Sequence, residues 1–590
     1  MWPFGFILLF TIFGVHAKEN CPLYGLGYPK PTNLLAQPGI QKAAEALDSV
    51  FAEYIDNANN TGSDRFSYSV EVFSADADEP LWSHYWTATN LKTLNTTGVR
   101  KVDGDTVYRL GSVTKIFTIL TFLAEVGDSM WNEPITNYIP ELKAMVTGDD
   151  TSHSISKPDW QSITIGSLAT QMSGLVRDSG EDALLGELTQ GSNTTQATSI
   201  GFPAIESAEI PPCGNRPVCN RKQFFEGLGR LPPSFSPFVT PAYSDIGYTL
   251  LGYALQQMTG KEFGTIVQDR VIKPLGLNRT FYTTPADSVG IIPGNRYLTT
   301  WAFNMGNESP GRTGNMYTSS SDLSRVGRAI LRSTLMPPAA TRRWLKPVTF
   351  SSDPKSSVGA PWGVRQLPFS KESPYQFATT FNKAGSLGKY SVLLAVIPDF
   401  NIGFSILAAG DVPPSLPMDI ADTLSNTYLP TMVNTAQIQA NELYGGTYKH
   451  PDPAMNSSLS VVVDSRTPGL SLSSWISNGT NLLWYSVAMG QNITKDYWEY
   501  VRPSVRLYPT ELWDATSDGG KRVAFKAVFE DLSLPNVTKP FTTDCATWVS
   551  VAGIMYGSKP LDQFIFNINA GGNVTSIENG ALRNRLDKVP

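Results

Sequence analysis

The sequence predicts one α+β domain whose sheet is completed by both ends of the domain, followed by a separate, mostly-β domain. Three observations predict this. A helix and two strands at the start are answered much later by a strand pair and a closing helix; the middle is largely helical; and from about residue 445 the pattern changes to short β-prone runs.

Taken in order, Ala43, Ala44, Leu47, Val50, Phe51, Tyr54 and Ile55 recur at helical spacing over 39–57. Residues 66–73 and 81–86 are strand-like. Residues 389–397 and 402–409 are two β-rich runs joined by Pro398-Asp399-Phe400-Asn401, which reads as a hairpin, and a closing helix is expected near 414–442. Beyond it, runs at Tyr448, 459–463, 470–472, 482–487, 504–508, 522–529 and 564–568 are separated by Gly, Pro, Asn and Asp. Their spacing describes an antiparallel β domain or small barrel.

Residues 1–17 carry the apolar stretch Phe4–Phe13 and end in the small residue Ala17, so a cleaved secretory signal is expected. The stretch is shorter than the roughly 20 residues a membrane span needs. The expected division is therefore a signal peptide at 1–17, a first domain at 18–442 and a β domain at 443–590. About 570 residues remain after cleavage, more than one core supports.

A secreted location agrees with two other features. Asn-x-Ser/Thr sequons begin at Asn59, Asn95, Asn193, Asn278, Asn307, Asn456, Asn478, Asn492, Asn536 and Asn573, with Asn307 the poorest because Pro310 follows its serine. The four cysteines form an even set. Cys213 and Cys219 flank a short turn-rich loop and are paired here; Cys21 then bonds Cys545 and straps the mature N-terminus to the C-terminal region. No cysteine pair has a histidine at zinc-ligand spacing. A formal net charge of −6 with 17% charged residues, no basic run and no RNA-binding aromatic motif argues against nucleic acid as a partner.

The chemistry centres on Ser112-Val113-Thr114-Lys115. Serine and lysine three apart on a helix share a face, so the amine can reach the hydroxyl. Ser154, Ser352 and Ser386 also have a lysine three residues on. The first two lie in polar segments near prolines, and Ser386 leads into a strand. Only Ser112 follows a strand-like run and a turn glycine, Gly111, and opens an apolar helix. Two further segments supply polar groups. Tyr243-Ser244-Asp245 is a turn entering another apolar helix, and a tyrosine near an ammonium can shuttle a proton. Lys383-Ala384-Gly385 is expected at the mouth of the strand that begins near Lys389, where Lys383 can bind a carboxylate or polarise the proton network and Gly385 permits close approach. The Ser386 N–H can join that of Ser112 as a two-donor oxyanion hole.

Together and in order, Ser112-x-x-Lys115, Tyr243-x-Asp245 and Lys383-x-Gly385 resemble the three signature motifs of serine β-lactamases and penicillin-binding proteins. Residues 163–175, 243–252 and 314–323 are similar to the class C β-lactamase and esterase branch, and the resemblance covers roughly 39–425. The signal, disulfides and added β domain resemble secreted fungal members. The resemblance implies a β-lactamase/transpeptidase-like domain, an antiparallel sheet flanked by helices. It implies Ser112 as acylated nucleophile, Lys115 and Tyr243 as its base pair, and substrate contacts from Asp245, Lys383, Gly385 and Ser386. It also implies a small ester or amide substrate and no cofactor.

One position departs from that branch, which has asparagine where this chain has Asp245. An aspartate beside Lys115 favours the ammonium, shifts proton transfer toward Tyr243 and repels a substrate carboxylate. Esters, or amides unlike penicillin, are therefore the expected substrates. A Ser-His-Asp site fits poorly, since the mature chain has only His84, His153 and His450 and no Gly-x-Ser-x-Gly elbow. Two other readings stand beside hydrolysis: acyl transfer by the same residues, and a catalytically silent binding protein on the same fold.

Overall fold

The structure, a computed structural model, describes residues 18–57, 61–146, 153–178, 198–199, 201–203, 206, 218–303, 316–369, 375–464, 467–491, 493–534 and 545–590. The chain divides into two compact units. One holds residues 33–367 and 379–428; the other holds the segment up to 32, 368–378 and everything from 429.

The first unit is built on an eight-stranded sheet. Its strands are β1 (Phe66–Ser74), β2 (Trp82–Trp86), β5 (Thr349–Phe350), β6 (Ser356–Val358), β7 (Gly363–Pro368), β8 (Phe377–Leu387), β9 (Tyr390–Ile397) and β10 (Ile402–Gly410), in the order β2-β1-β10-β9-β8-β7-β6-β5. The expected hairpin is the β9–β10 pair, in register from Ile397 opposite Ile402. Both ends of the domain complete the sheet, because β1 pairs with β10 along its whole length. All nine residues of β1 are buried, as a strand covered on both faces requires. Helix α1 (Pro38–Asp56) turns Ile40, Ala43, Leu47 and Phe51 inward at helical spacing.

Between the early and late strands lie the elements that hold the first two motifs. β3 (Tyr108–Arg109) pairs with β4 (Tyr317–Thr318). After β3 the chain makes a 3-10 turn, Gly111–Val113, and enters α2 (Thr114–Val126). Residues Thr114 to Leu123 of α2 are all buried, so it is a core helix on every side, and Gly127, at φ 73°, ends it. α3 (Asp245–Thr259) begins where the Ser244 side chain accepts the Gly247 N–H, and stops at Gly260, at φ 67°. α4 (Ser320–Leu331) packs on β1 and β10.

The second unit receives the chain through α5 (Leu416–Tyr444). Its sheet comprises β11 (Gly446–Lys449), β12 (Ser458–Val462), β13 (Leu470–Ser477), β14 (Thr480–Asn481), β15 (Pro503–Ala515), β16 (Lys521–Asp531), β17 (Gln563–Ile568), β18 (Val574–Asn579) and β19 (Asn584–Lys588). The order is β12-β11-β19-β18-β17-β16-β15-β13-β14, and β12 also pairs with β13, which closes eight strands into a barrel. Inward residues alternate along β12 and β17, and the core includes Tyr448, Leu472, Trp475, Leu507, Phe525 and Phe566. The run at 482–487 forms a helix instead of the expected strand, α6 (Leu482–Gly490). The Asn481 side chain caps its Leu483 N–H, and the helix packs on β13, β15 and β16. Cys21 and Cys545 are bonded as expected. Beside them buried Glu530 accepts hydrogen bonds from the Cys21 N–H and the Asn20 amide. Cys219 is also disulfide-bonded, and Cys213 lies outside the described residues.

The sheet meets the Ser112 turn without side chains between them. A Cβ on Gly385 would stand 2.1 Å from the Leu110 carbonyl oxygen and 2.8 Å from the Ser112 nitrogen, distances that force the backbone apart. Gly385→Ala is therefore expected to lower the stability of this unit by about 1–3 kcal/mol. Denaturant unfolding of wild type and variant measures it, and coincident midpoints refute the contact.

Candidate active site

Ser112 sits half-buried at the turn before α2, and Lys115 lies one turn on, wholly buried. Tyr243 is the residue before the α3 cap. Its hydroxyl donates to Ser112 Oγ at 2.7 Å. Asp245, the first residue of α3, forms an ion pair with the Lys115 ammonium. The segment is fixed from both sides: the Asp245 N–H donates to the Arg177 carbonyl at 2.8 Å, and the Ser244 N–H to Gln171 Oε1 at 2.7 Å.

Lys383 and Gly385 lie inside β8, near its end, and not at the mouth of the following strand as expected. β8 continues to Leu387, and its residues Phe381–Leu387 pair with β9, so a polar segment becomes a regular strand through its partner. The period of two places Lys383 and Gly385 on one face of β8. Gly111, at φ 52°, brings its own backbone against the same strand, and a Cβ there would meet the Ser386 nitrogen at 2.9 Å. Ser112, Tyr243, Lys383, Gly385 and Ser386 thus line one cavity of about 290 Å³. Asp245 and Lys115 lie behind Tyr243: the Lys115 Nζ is 4.7 Å from the centre of the tyrosine ring.

Arg177 was not identified from the sequence. It lines the cavity, and its guanidinium lies 5.1 Å from the Tyr243 ring centre, near the 5.2 Å of the Lys383 ammonium. The stretch 163–175 stops two residues short of it, and only the fold brings it to Tyr243. Pro414, Pro417 and Met418 form an apolar part of the wall. None of the three histidines among the described residues lines this cavity: His84 packs among Phe51, Tyr68 and Trp82, His153 is exposed and His450 is half-buried.

Burial lowers the pKa of Lys383 to about 7, and the charges of Lys115 and Arg177 add to the effect while that of Asp245 opposes it. The amine is accordingly charged below pH 7 and neutral above it. NMR titration of lysine-labelled protein is expected to show one resonance with a midpoint near 7, absent in Lys383→Met. A Lys383 midpoint in the range of exposed lysines, about 10, contradicts it.

The β-lactamase family model matches residues 70–425, and a β-lactamase-like C-terminal domain model matches 436–590. A "Beta-lactamase-like protein" of Arthroderma benhamiae is 28% identical, covering 96% of both chains. A "Probable hydrolase clz13" of Cochliobolus lunatus is 25% identical over 81% of this chain and 76% of that one. Among solved structures, an octameric penicillin-binding protein homologue from Pyrococcus abyssi aligns at 14% identity. It covers 92% of this chain and 99% of that one, with a TM-score of 0.47. With its family domain spanning most of the sheet, the three motifs and the helices between them, the chain belongs to the β-lactamase family of hydrolases.

Proposed function

We propose that the protein is a secreted serine hydrolase that cleaves small esters or amides through an acyl-enzyme on Ser112. The observation that carries this reading is the 2.7 Å hydrogen bond between the Tyr243 hydroxyl and Ser112 Oγ inside the cavity. For attack, Tyr243 acts in its phenolate form: its oxygen takes the Oγ proton as Oγ bonds to the substrate carbonyl carbon, and the phenol-to-serine hydrogen bond is the contact that this transfer leaves. The carbonyl electron pair moves onto oxygen, between the amides of Ser112 and Ser386. Collapse expels the alcohol or amine, which receives the proton from Tyr243, and water later releases the acid by the same route.

Lys115 supports this step by charge. Its ammonium is held by Asp245 and lies, with Lys383 and Arg177, around the Tyr243 ring, where positive charge attracts the negative charge carried during proton transfer. Tyr243 is therefore the proton carrier of this reading. Secretion rests on the apolar segment at the N-terminus and on the sequons. Asn95, Asn278, Asn456, Asn478 and Asn573 are all exposed, whereas Asn59, Asn193, Asn307, Asn492 and Asn536 lie outside the described residues.

A fluorophosphonate probe tests the nucleophile. Mass spectrometry is expected to find the adduct on the Ser112 peptide, and no adduct in Ser112→Ala. A folded wild-type chain that takes no label overturns the reading in favour of a binding protein. The same spectra, taken on protein from the culture medium, are expected to show an N-terminus at Lys18 and hexose on sequon peptides; an intact Met1 terminus refutes secretion. Asp245→Asn removes the carboxylate paired with the Lys115 ammonium and is expected to lower the ester-to-amide ratio of kcat/KM by about tenfold. An unchanged ratio removes Asp245 as the source of substrate preference.

A further inference from the structure

The first unit holds a second, half-open cavity of about 200 Å³ between α1 and the start of α5 and over β1. Phe51 and Ile420 supply apolar wall, and Tyr54, Asp419 and Thr423 supply polar groups. Tyr68 also lines it; that residue is wholly buried, and its hydroxyl has no hydrogen-bond partner among the described residues. A dry cavity of roughly 150 Å³ lined by apolar side chains holds a benzene ring, so this one has room for a six-membered ring and one substituent. The Asp419 carboxylate can accept from a ligand hydroxyl, and the Tyr68 hydroxyl can donate to one.

The two cavities share an element. Asp419, Ile420 and Thr423 fall on one face of α5 and line this cavity, while Pro417 and Met418, turned away from that face, line the one that holds Ser112. A helical turn moves as a unit, so displacement of one face displaces the other. We infer that the α1–α5 cavity is a second small-molecule site, taking a compact apolar alcohol, and that its occupancy shifts the wall of the catalytic cavity through the first turns of α5. The coupling rests on the acyl-enzyme reading above, whereas the binding does not.

Benzyl alcohol is the probe. Calorimetric titration uses Ser112→Ala, which cannot pass an acyl group to the alcohol. Saturable binding is expected, about tenfold tighter than that of toluene, which lacks the hydroxyl. Thr423→Trp, which fills the cavity, is expected to abolish it, with Ile420→Trp as a second filling variant should the first fail to melt cooperatively. Absence of saturable binding, or binding undiminished in a folded filling variant, overturns the site. In the chain with Ser112 intact, saturating benzyl alcohol is expected to change the fluorophosphonate labelling rate by about threefold, and to leave that of the filling variant unchanged. Binding with an unaltered labelling rate overturns the coupling. Failure of Ser112 to label at all overturns the catalytic reading instead, and the calorimetric result stands apart from it.

Discussion

The site depends on one backbone contact, the seam where β8 lies against the turn that carries Ser112. Both sides of the seam are glycine. Gly111 takes a left-handed φ of 52° and faces the Ser386 backbone, while Gly385 faces the Leu110 carbonyl and the Ser112 amide. A side chain on either would separate sheet from turn. Because Lys383 lies two residues before Gly385 and Ser386 one residue after, the same contact sets the distance of an amine and an amide from the Ser112 hydroxyl. One seam therefore positions three functional groups at once.

A second constraint is the burial of Lys115. The side chain is wholly inaccessible, and burying an ammonium without compensation is costly. Asp245 supplies the opposite charge, and its own backbone is tied to the Arg177 carbonyl. Breaking such a pair from one side typically costs about 3–5 kcal/mol, because the remaining charge stays buried. The pair thus belongs to the architecture as much as to the chemistry, and it fixes the start of α3 and with it Tyr243.

Local signals made much of this legible. Ser112-x-x-Lys115 was separable from three equal spacings because a strand, a turn glycine and an apolar helix surround it, and each of these is written in adjacent residues. The β9–β10 hairpin was readable for a similar reason, whereas the bond between Cys21 and Cys545 followed only as the remainder once Cys213 and Cys219 were paired across their short loop. Long-range effects were not. The residues around Lys383 are too polar to announce a strand, and β8 forms there because it pairs with β9 between that strand and β7, with the Ser112 turn packed on Gly385. Leu482–Val487 is an apolar run of the length that suits strand or helix, and the Asn481 cap with packing on three strands decided for helix. β18 and β19 carry few apolar residues, and the barrel's closure, not their composition, makes them strands.

Arg177 gives the departure at position 245 a physical meaning. Three cationic side chains, Lys115, Arg177 and Lys383, lie between 4.7 and 5.2 Å from the centre of one tyrosine ring. Like charges at such range repel, and for Lys383 the repulsion from Lys115 and Arg177 adds to burial, the larger cause, in a pKa that falls toward 7. An asparagine at 245 would leave this group without the carboxylate nearest its most buried member. Asp245 offsets the crowd where water cannot, and Asp178 pairs with Arg177 at 3.3 Å on the exposed side. On this argument the carboxylate follows from the arginine: a chain that brings a third cation to the tyrosine needs an anion behind it.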